Sequence, residues 1–372
     1  MEDYKTQSFS LSSTLLALTA TVGLSAIATP VQAGTIRHDR SDSQYRSLAN
    51  LFPSVGYLSA RNSSSSWACS GTLIGSRYVM TAAHCVENGS YMNQGTFWVG
   101  NNRYSVTGLT AHRDWFSTGR NLRLGNDIAL LALSKSVRGV NPASLYTSFN
   151  EDISLGTYVG YGKTGTGLTG AIHRGGTKRA GQNIIGTGNR LGYSTNVLVS
   201  DFDDPRTSRW WDSLSQPLNL EYQLASGDSG GGLFINGRVA GVHSFISSRD
   251  GNTNASYRDT SASTRVSTKK NWIWGGLNAL GKFFGGSRST IAQSNPSVPA
   301  PAAAPPGGSL IPSLMELNPE YDYFDPNHSI SVLEDTGFYA DRANVPEPSS
   351  LFGLGLVGAF LVKLRFRSAR KK

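Results

Sequence analysis

Three short stretches of this chain set a nucleophile, a base and a carboxylate where each could do chemistry. Ser229 lies in Ala225-Ser-Gly-Asp-Ser-Gly-Gly-Gly-Leu-Phe234, enclosed by Gly227, Gly230, Gly231 and Gly232, with Asp228 just before it. Glycines let the backbone turn so that the hydroxyl stands clear while the amides of Gly227 and Ser229 aim at one point. Such a pair forms an oxyanion hole, where one donor is worth roughly 2.7–4 kcal/mol of barrier. His84 stands one residue before the end of the run Trp67-Ala-Cys-Ser-Gly-Thr-Leu-Ile-Gly-Ser-Arg-Tyr-Val-Met-Thr-Ala-Ala-His-Cys85, and a histidine is suited to take the proton of a serine hydroxyl. Asp127 stands at the mouth of the apolar run Ile128–Leu133, where a partly buried carboxylate needs a hydrogen-bond donor. Taken singly, the glycine loop also reads as a surface turn, and Asp127 as a turn residue before a strand.

The elements around these residues read as strands. Gly71–Ile74 and Tyr78–Thr81 flank Gly75-Ser76 as a hairpin, and Leu233–Ser244 reads as a second strand pair broken by glycine. The only two cysteines, Cys69 and Cys85, bracket the first hairpin. In an exported chain they read as one disulfide, stabilising by ~3 kcal/mol and pinning the backbone beside His84. Two cysteines and one histidine lack a four-ligand zinc pattern, so no metal site is expected. Gly227-Asp-Ser-Gly-Gly231 also satisfies the G-x-S-x-G elbow of α/β-hydrolases. That elbow needs a strand–turn–helix setting and the order Ser, acid, His; after Ser229 only His243 and His328 remain.

Composition and the chain ends bound the rest. The 372 residues are 38% hydrophobic and only 16% charged, with 42 glycines, which leans toward short strands and turns. No apolar run reaches the ~20 residues of a spanning helix, which excludes a polytopic membrane protein. The net charge of +9 is uneven, with −1 on residues 1–33 and +5 on 346–372, and the remainder shows no basic block; no nucleic-acid partner is expected. Lys5, the apolar stretch Leu15–Ile27 and Val31-Gln32-Ala33 read as a signal peptide cut after Ala33 by signal peptidase. Residues 34–284 form the expected folded unit. Residues 285–344, with Pro296, Pro299, Pro301, Pro305 and Pro306, read as an extended, disordered linker. Residues 345–372 run Val345-Pro-Glu-Pro348, then apolar Leu351–Val362, then an Arg/Lys tail, which reads as a short transmembrane segment with a stop-transfer cluster.

That tripartite end resembles the PEP-CTERM sorting signal of Gram-negative bacteria. The resemblance implies export, a transient inner-membrane anchor, processing by an exosortase-type enzyme, and delivery to the envelope surface or exterior; a retained membrane anchor is the alternative. The central motifs resemble the chymotrypsin-like (trypsin-like) serine proteases: Thr81-Ala-Ala-His-Cys85, Asn126-Asp-Ile-Ala-Leu130, Val159-Gly-Tyr-Gly162, Gly227-Asp-Ser-Gly-Gly231, Gly241-Val-His-Ser-Phe245, and Arg265-Val266 with Trp272-Ile273. The order His84, Asp127, Ser229 is that family's order. The resemblance implies an all-β fold of two perpendicular six-stranded antiparallel β-barrels with a C-terminal helix. It implies a serine endopeptidase acting on protein or peptide substrates through an acyl-enzyme, with no cofactor. A non-catalytic envelope binding protein and an esterase on the same fold are the alternatives.

Departures from the family carry their own expectations. Gln223 stands where trypsins carry Asp, so a charged specificity pocket is not expected. Ser244 and Ile246 complete that pocket, Ile246 narrowing its rim, which favours small or medium apolar side chains over Arg or Lys. Asp228, the activation-linked acid of the family, has no Ile-Val-Gly-Gly terminus near Gly34–Asn50 to meet it, so a different donor is expected. The cluster Asp201-Phe-Asp-Asp204 could ligate calcium, but a solvated acidic turn ended by Pro205 is the favoured reading.

Overall fold

Short apolar stretches separated by glycine and asparagine turns fold as antiparallel ribbons, which close on themselves and leave no long bare edge. The computed structural model describes residues 34–207, 216–248, 250–283 and 329–332. In the first half six strands form a closed barrel: β1 (Val55–Arg61), β2 (Ser66–Gly75), β3 (Tyr78–Thr81), β4 (Gln94–Val99), β5 (Asn102–Ala111) and β6 (Ala129–Leu133), paired in the order β1-β2-β3-β6-β5-β4 with β4 returning to β1. The second half gives β7 (Ser154–Gly160), β8 (Arg179–Thr187), β9 (Val197–Ser200), β10 (Gly232–Ile235), β11 (Arg238–Ser248) and β12 (Thr260–Arg265). Their order is β7-β8-β9-β12-β11-β10, with β10 returning to β7. The second barrel therefore repeats the strand order of the first, although the sequence shows no internal repeat. These are the two six-stranded antiparallel barrels expected from the motifs.

Inward residues fill each barrel. Leu58, Leu73, Val79, Phe97 and Leu131 are buried in the first, and Tyr158, Leu198, Leu233 and Ile235 in the second. Among the described residues three α-helices accompany them: α1 (Asp42–Ala49), α2 (Arg113–Ser117) and α3 (Val266–Phe283). Helix α3 follows the last strand of the second barrel yet buries Val266, Ile273 and Leu277 in the cluster that fills the first. It comes so close to β6 that a Cβ on Gly276 would lie 2.7 Å from Leu130 Cδ1. Ahead of the barrels, Gly34–Ile36 runs parallel to Thr164–Thr166 and antiparallel to Tyr222–Gln223.

Two expectations about the chain ends change. Residues 285–344 were expected as linker throughout, but Ser329–Val332 form a strand, β13, paired antiparallel with β11. Its alternation of hydroxyl and β-branched residues suits a strand, a signal that the surrounding prolines mask. The transmembrane segment at Leu351–Val362 is corrected as well, and with it the inner membrane as partner and the transient inner-membrane anchor as a stage of localisation. Among the described residues no helix is long and apolar enough to cross a membrane. Physically, the run of twelve residues would extend about 18 Å as a helix against ~30 Å of hydrocarbon. That run, the signal peptide at 1–33 and the rest of 285–344 lie outside the described residues.

Candidate active site

His84 is placed by the end of β3 and fixed by sulfur. The chain leaves Thr81 in a tight turn, with the Cys85 amide donating to Ala82 O at 3.2 Å and the Val86 amide to Ala83 O at 3.0 Å. Cys69 on β2 is bonded to Cys85, with Cα atoms 6.1 Å apart, and Trp67 Nε1 donates to Cys85 O at 2.9 Å. The backbone beside the imidazole is thereby held from two sides.

Asp127 follows a short turn closed by Gly125, in left-handed conformation at φ 64°, and leads into β6. It is fully buried. Its Oδ1 accepts the His84 amide at 3.0 Å, while Oδ2 accepts His84 Nδ1 at 2.7 Å and the Ser244 hydroxyl at 2.5 Å. A carboxylate acceptor makes Nδ1 the protonated nitrogen, which leaves Nε2 with a lone pair. That lone pair meets Ser229 Oγ at 2.7 Å. The structure thus brings His84 and Asp127 from the first barrel onto Ser229 from the second.

The Ser229 loop is tied to both barrels. Ser70, on β2, donates its amide to Ser229 O at 2.7 Å and its hydroxyl to Gly227 O at 2.9 Å. On the other side the Gly230 amide donates to His243 O at 2.8 Å, and the His243 amide to Gly231 O at 3.0 Å. Gly230 has φ +78°, and a Cβ there would lie 2.0 Å from Thr81 Oγ1. The carbonyl of Gly227 is turned toward Ser70, and among the described residues the amides of Gly227 and Ser229 donate to no protein acceptor.

Asp228 points away from the triad into the second barrel. Gly162 donates its amide to Oδ1 at 2.8 Å; the Ala225 amide at 2.9 Å and the Tyr222 hydroxyl at 3.3 Å reach Oδ2. Burial pushes the Asp228 carboxyl up to about 7 against the pull of those hydrogen bonds. Gly34 packs so closely on Tyr222 that a Cβ would lie 1.9 Å from its ring, so the start of the described chain abuts the group that meets Asp228.

The three residues assigned to the pocket fall in different places. Gln223 is fully buried; its Oε1 accepts from Ser261 Oγ at 2.8 Å, and its Nε2 has no partner among the described residues. Ser244 turns its hydroxyl to Asp127 rather than to a pocket. Ile246 is buried with Leu224 and Ala255 in the second apolar cluster. Sequence reasoning missed the role of Ser70 and the Ser244–Asp127 bond. It also missed His243, which is buried, stacked on Tyr158 with ring centroids 5.3 Å apart, and driven down to about 3 by burial. No spacing in the chain announces these pairings.

Among the described residues two groups bring metal-ligand atom types together. Cys69, His84 and Cys85 offer atoms within 4.8 Å of one another, but both sulfurs are committed to the disulfide and both ring nitrogens to the triad. Asp201, Asp203 and Glu221 form the other. Asp204 instead pairs with Arg206 at 2.7 Å, as in an acidic turn. Glu221, seventeen residues beyond Asp204, accepts the amides of Asp203 and Leu218 at 2.8 and 3.1 Å, and burial raises its carboxyl well above the usual range.

Comparison with known proteins extends this geometry to the whole fold. Residues 43–273 match the family model described as Trypsin. The chain is similar to chymotrypsin-like elastase family member 1 of Felis catus, 31% identical over 55% of this chain and 77% of that one. It is also similar to the human protein of that name, at 30% over 60% and 87%. A chymotrypsin of Phaedon cochleariae is 27% identical over 58% and 75%. The matched span runs through both barrels and encloses all three residues of the triad, and on that ground the chain belongs to the trypsin family.

Proposed function

We propose that this serine endopeptidase cuts after small or medium apolar residues rather than after Arg or Lys. The observation carrying the activity is the continuous relay Asp127–His84–Ser229, with hydrogen bonds of 2.7 Å on both sides of the ring. Ser229 Oγ attacks the scissile carbonyl while His84 Nε2 takes its proton. His84 then protonates the leaving amine, giving the acyl-enzyme, and activates the water that hydrolyses it. Asp127 holds the imidazole in the working tautomer and stabilises the imidazolium, and its other donors, the His84 amide and Ser244, keep its charge satisfied.

The unengaged amides of Gly227 and Ser229 support their assignment as the oxyanion hole. Gln223 in place of a carboxylate supports the preference against basic side chains, since a cation would enter without a counter-charge. The donors around Asp228 support a loop that is set without a liberated Ile-Val-Gly-Gly terminus. From the sequence we also read a leader cut after Ala33 and a PEP-CTERM-like sorting signal at 345–372.

Fluorophosphonate labelling of the wild type and of Ser229→Ala tests the nucleophile without needing a substrate. Labelling of the wild type alone is expected; equal labelling of both would sink the assignment. Peptide-library cleavage then reads the preference, and dominant cutting after Arg or Lys would overturn it.

A further inference from the structure

Strand β11 has two edges, and β12 occupies one of them from Gly241 to Ser247. The other edge is shared by three consecutive neighbours. Strand β10 pairs with Arg238–Val242. Next, His243 exchanges backbone hydrogen bonds with Gly230 and Gly231 of the nucleophile loop. Beyond it, β13 pairs with Phe245–Ser248 in the register Val332 to Phe245, Ser331 to Ile246, Ile330 to Ser247 and Ser329 to Ser248. Ser244, between the last two neighbours, donates to Asp127. The chain of β13 therefore runs toward the nucleophile loop and ends its pairing beside it.

An extended peptide whose carbonyl reaches Ser229 Oγ has this stretch of edge beside it. Its backbone can add there as a strand, with main-chain hydrogen bonds that any sequence makes. We propose that Ser329–Val332 is a tethered occupant of this peptide-docking edge, so that the chain restrains its own turnover until the segment is displaced or removed. The proposal rests on the endopeptidase reading above. Forty-five residues separate Phe283 from Ser329, a length whose reach does not limit docking. Tethering gives even a weakly fitting segment an effective concentration on the order of millimolar. Leu333, next in sequence, is of the apolar class proposed for cleavage.

The test uses the full chain and the double variant Ile330→Pro/Ser331→Pro, because proline removes the amide hydrogen and does not sit within a paired strand. Three readouts separate the possibilities: fluorophosphonate labelling rate, which needs Ser229 but no docked strand; KM and kcat for an extended peptide; and hydrogen exchange of the amides of Phe245–Ser248. The proposal expects unchanged labelling, a KM lower by about tenfold with kcat unchanged, and faster exchange at Phe245–Ser248. A synthetic peptide of residues 327–334 should then inhibit the variant competitively, and a scrambled one should not. Unchanged KM with intact labelling would make β13 a mere edge cover and overturn the proposal. Loss of labelling in the variant alone would make β13 a support of the fold and overturn it too. Absence of labelling in both proteins would overturn the endopeptidase reading and this proposal with it, while exchange would still report whether β13 covers β11.

Discussion

Ser70 on the first barrel donates its amide to the carbonyl of Ser229 on the second, at 2.7 Å. The nucleophile is thereby joined to the strand that also carries Cys69, one residue away. Ser229 reaches His84 only if the two barrels stay docked, and this bond is at the seam. Its neighbour Gly230 packs there without room for a side chain: an added Cβ would lie 2.0 Å from Thr81 Oγ1 and 2.4 Å from Ser70 O.

Gly230→Ala should therefore displace the loop and lower kcat by about 100-fold, the scale of a misplacement near 1 Å. Steady-state kinetics with near-ultraviolet circular dichroism would check it. Full activity in a folded variant would show that the seam tolerates the shift.

Ser244→Ala removes one of three hydrogen bonds to the Asp127 carboxylate. A bond to a charged group contributes about 1.5–3 kcal/mol, so kcat should fall roughly tenfold or more with KM nearly unchanged. A rise in KM at constant kcat would instead return Ser244 to the specificity pocket.

Replacing both Cys69 and Cys85 with Ala opens a loop of sequence separation 16. The expected cost is about 3 kcal/mol, seen as a lower urea midpoint. Reducing agent should lower the wild-type midpoint equally and leave the variant where it is.

Acidity should act on stability in two opposing senses. Burial holds the carboxyls of Asp228 and Asp259 at about 7, whereas an unfolded Asp releases its proton near 4. Between those values the folded chain keeps protons that the unfolded chain has lost, so their contribution declines as pH rises from about 4 to 7. His243 works the other way. Its folded value is about 3 and its unfolded value about 6.5, so stability declines as pH falls through that window. Asp259→Asn removes one of the first kind. Its stability relative to wild type should climb with pH between 4 and 7, by up to about 1.4 kcal/mol per unit. Parallel urea-unfolding curves for the two proteins across this range would refute the account.

His84, Asp127 and Ser229 were legible because each sits in a local backbone setting that its chemistry requires: a turn sealed by a cysteine, the mouth of an apolar strand, a loop of glycines. Alternating patterns and turns gave short strands and hairpins, and the two barrels came only with the family resemblance that the motifs carry. What stayed hidden depends on contacts far apart in sequence. Ser244 and Asp127 are 117 residues apart, and nothing near either names the other. Glu221 joins Asp203 only through the folding of the second barrel. The shared strand order of the barrels leaves no trace in sequence, since pairing asks for alternation and not for identity. At the C-terminus the prolines outweighed the four-residue alternation that makes β13, and a basic tail made an apolar run of twelve residues, already short for a span, read as a transmembrane segment.

The disulfide brings one more consequence. Both cysteines of the chain lie in the first barrel, so the barrel that carries the nucleophile has no covalent brace. A protease in solution is surrounded by copies of itself, and those copies cut whatever opens most readily. Opening of the second barrel withdraws Ser229 from His84, so a cut made there also ends that molecule's working life. Ageing of the enzyme then follows the meeting of two molecules, and activity in a stored sample should decay with the square of its concentration.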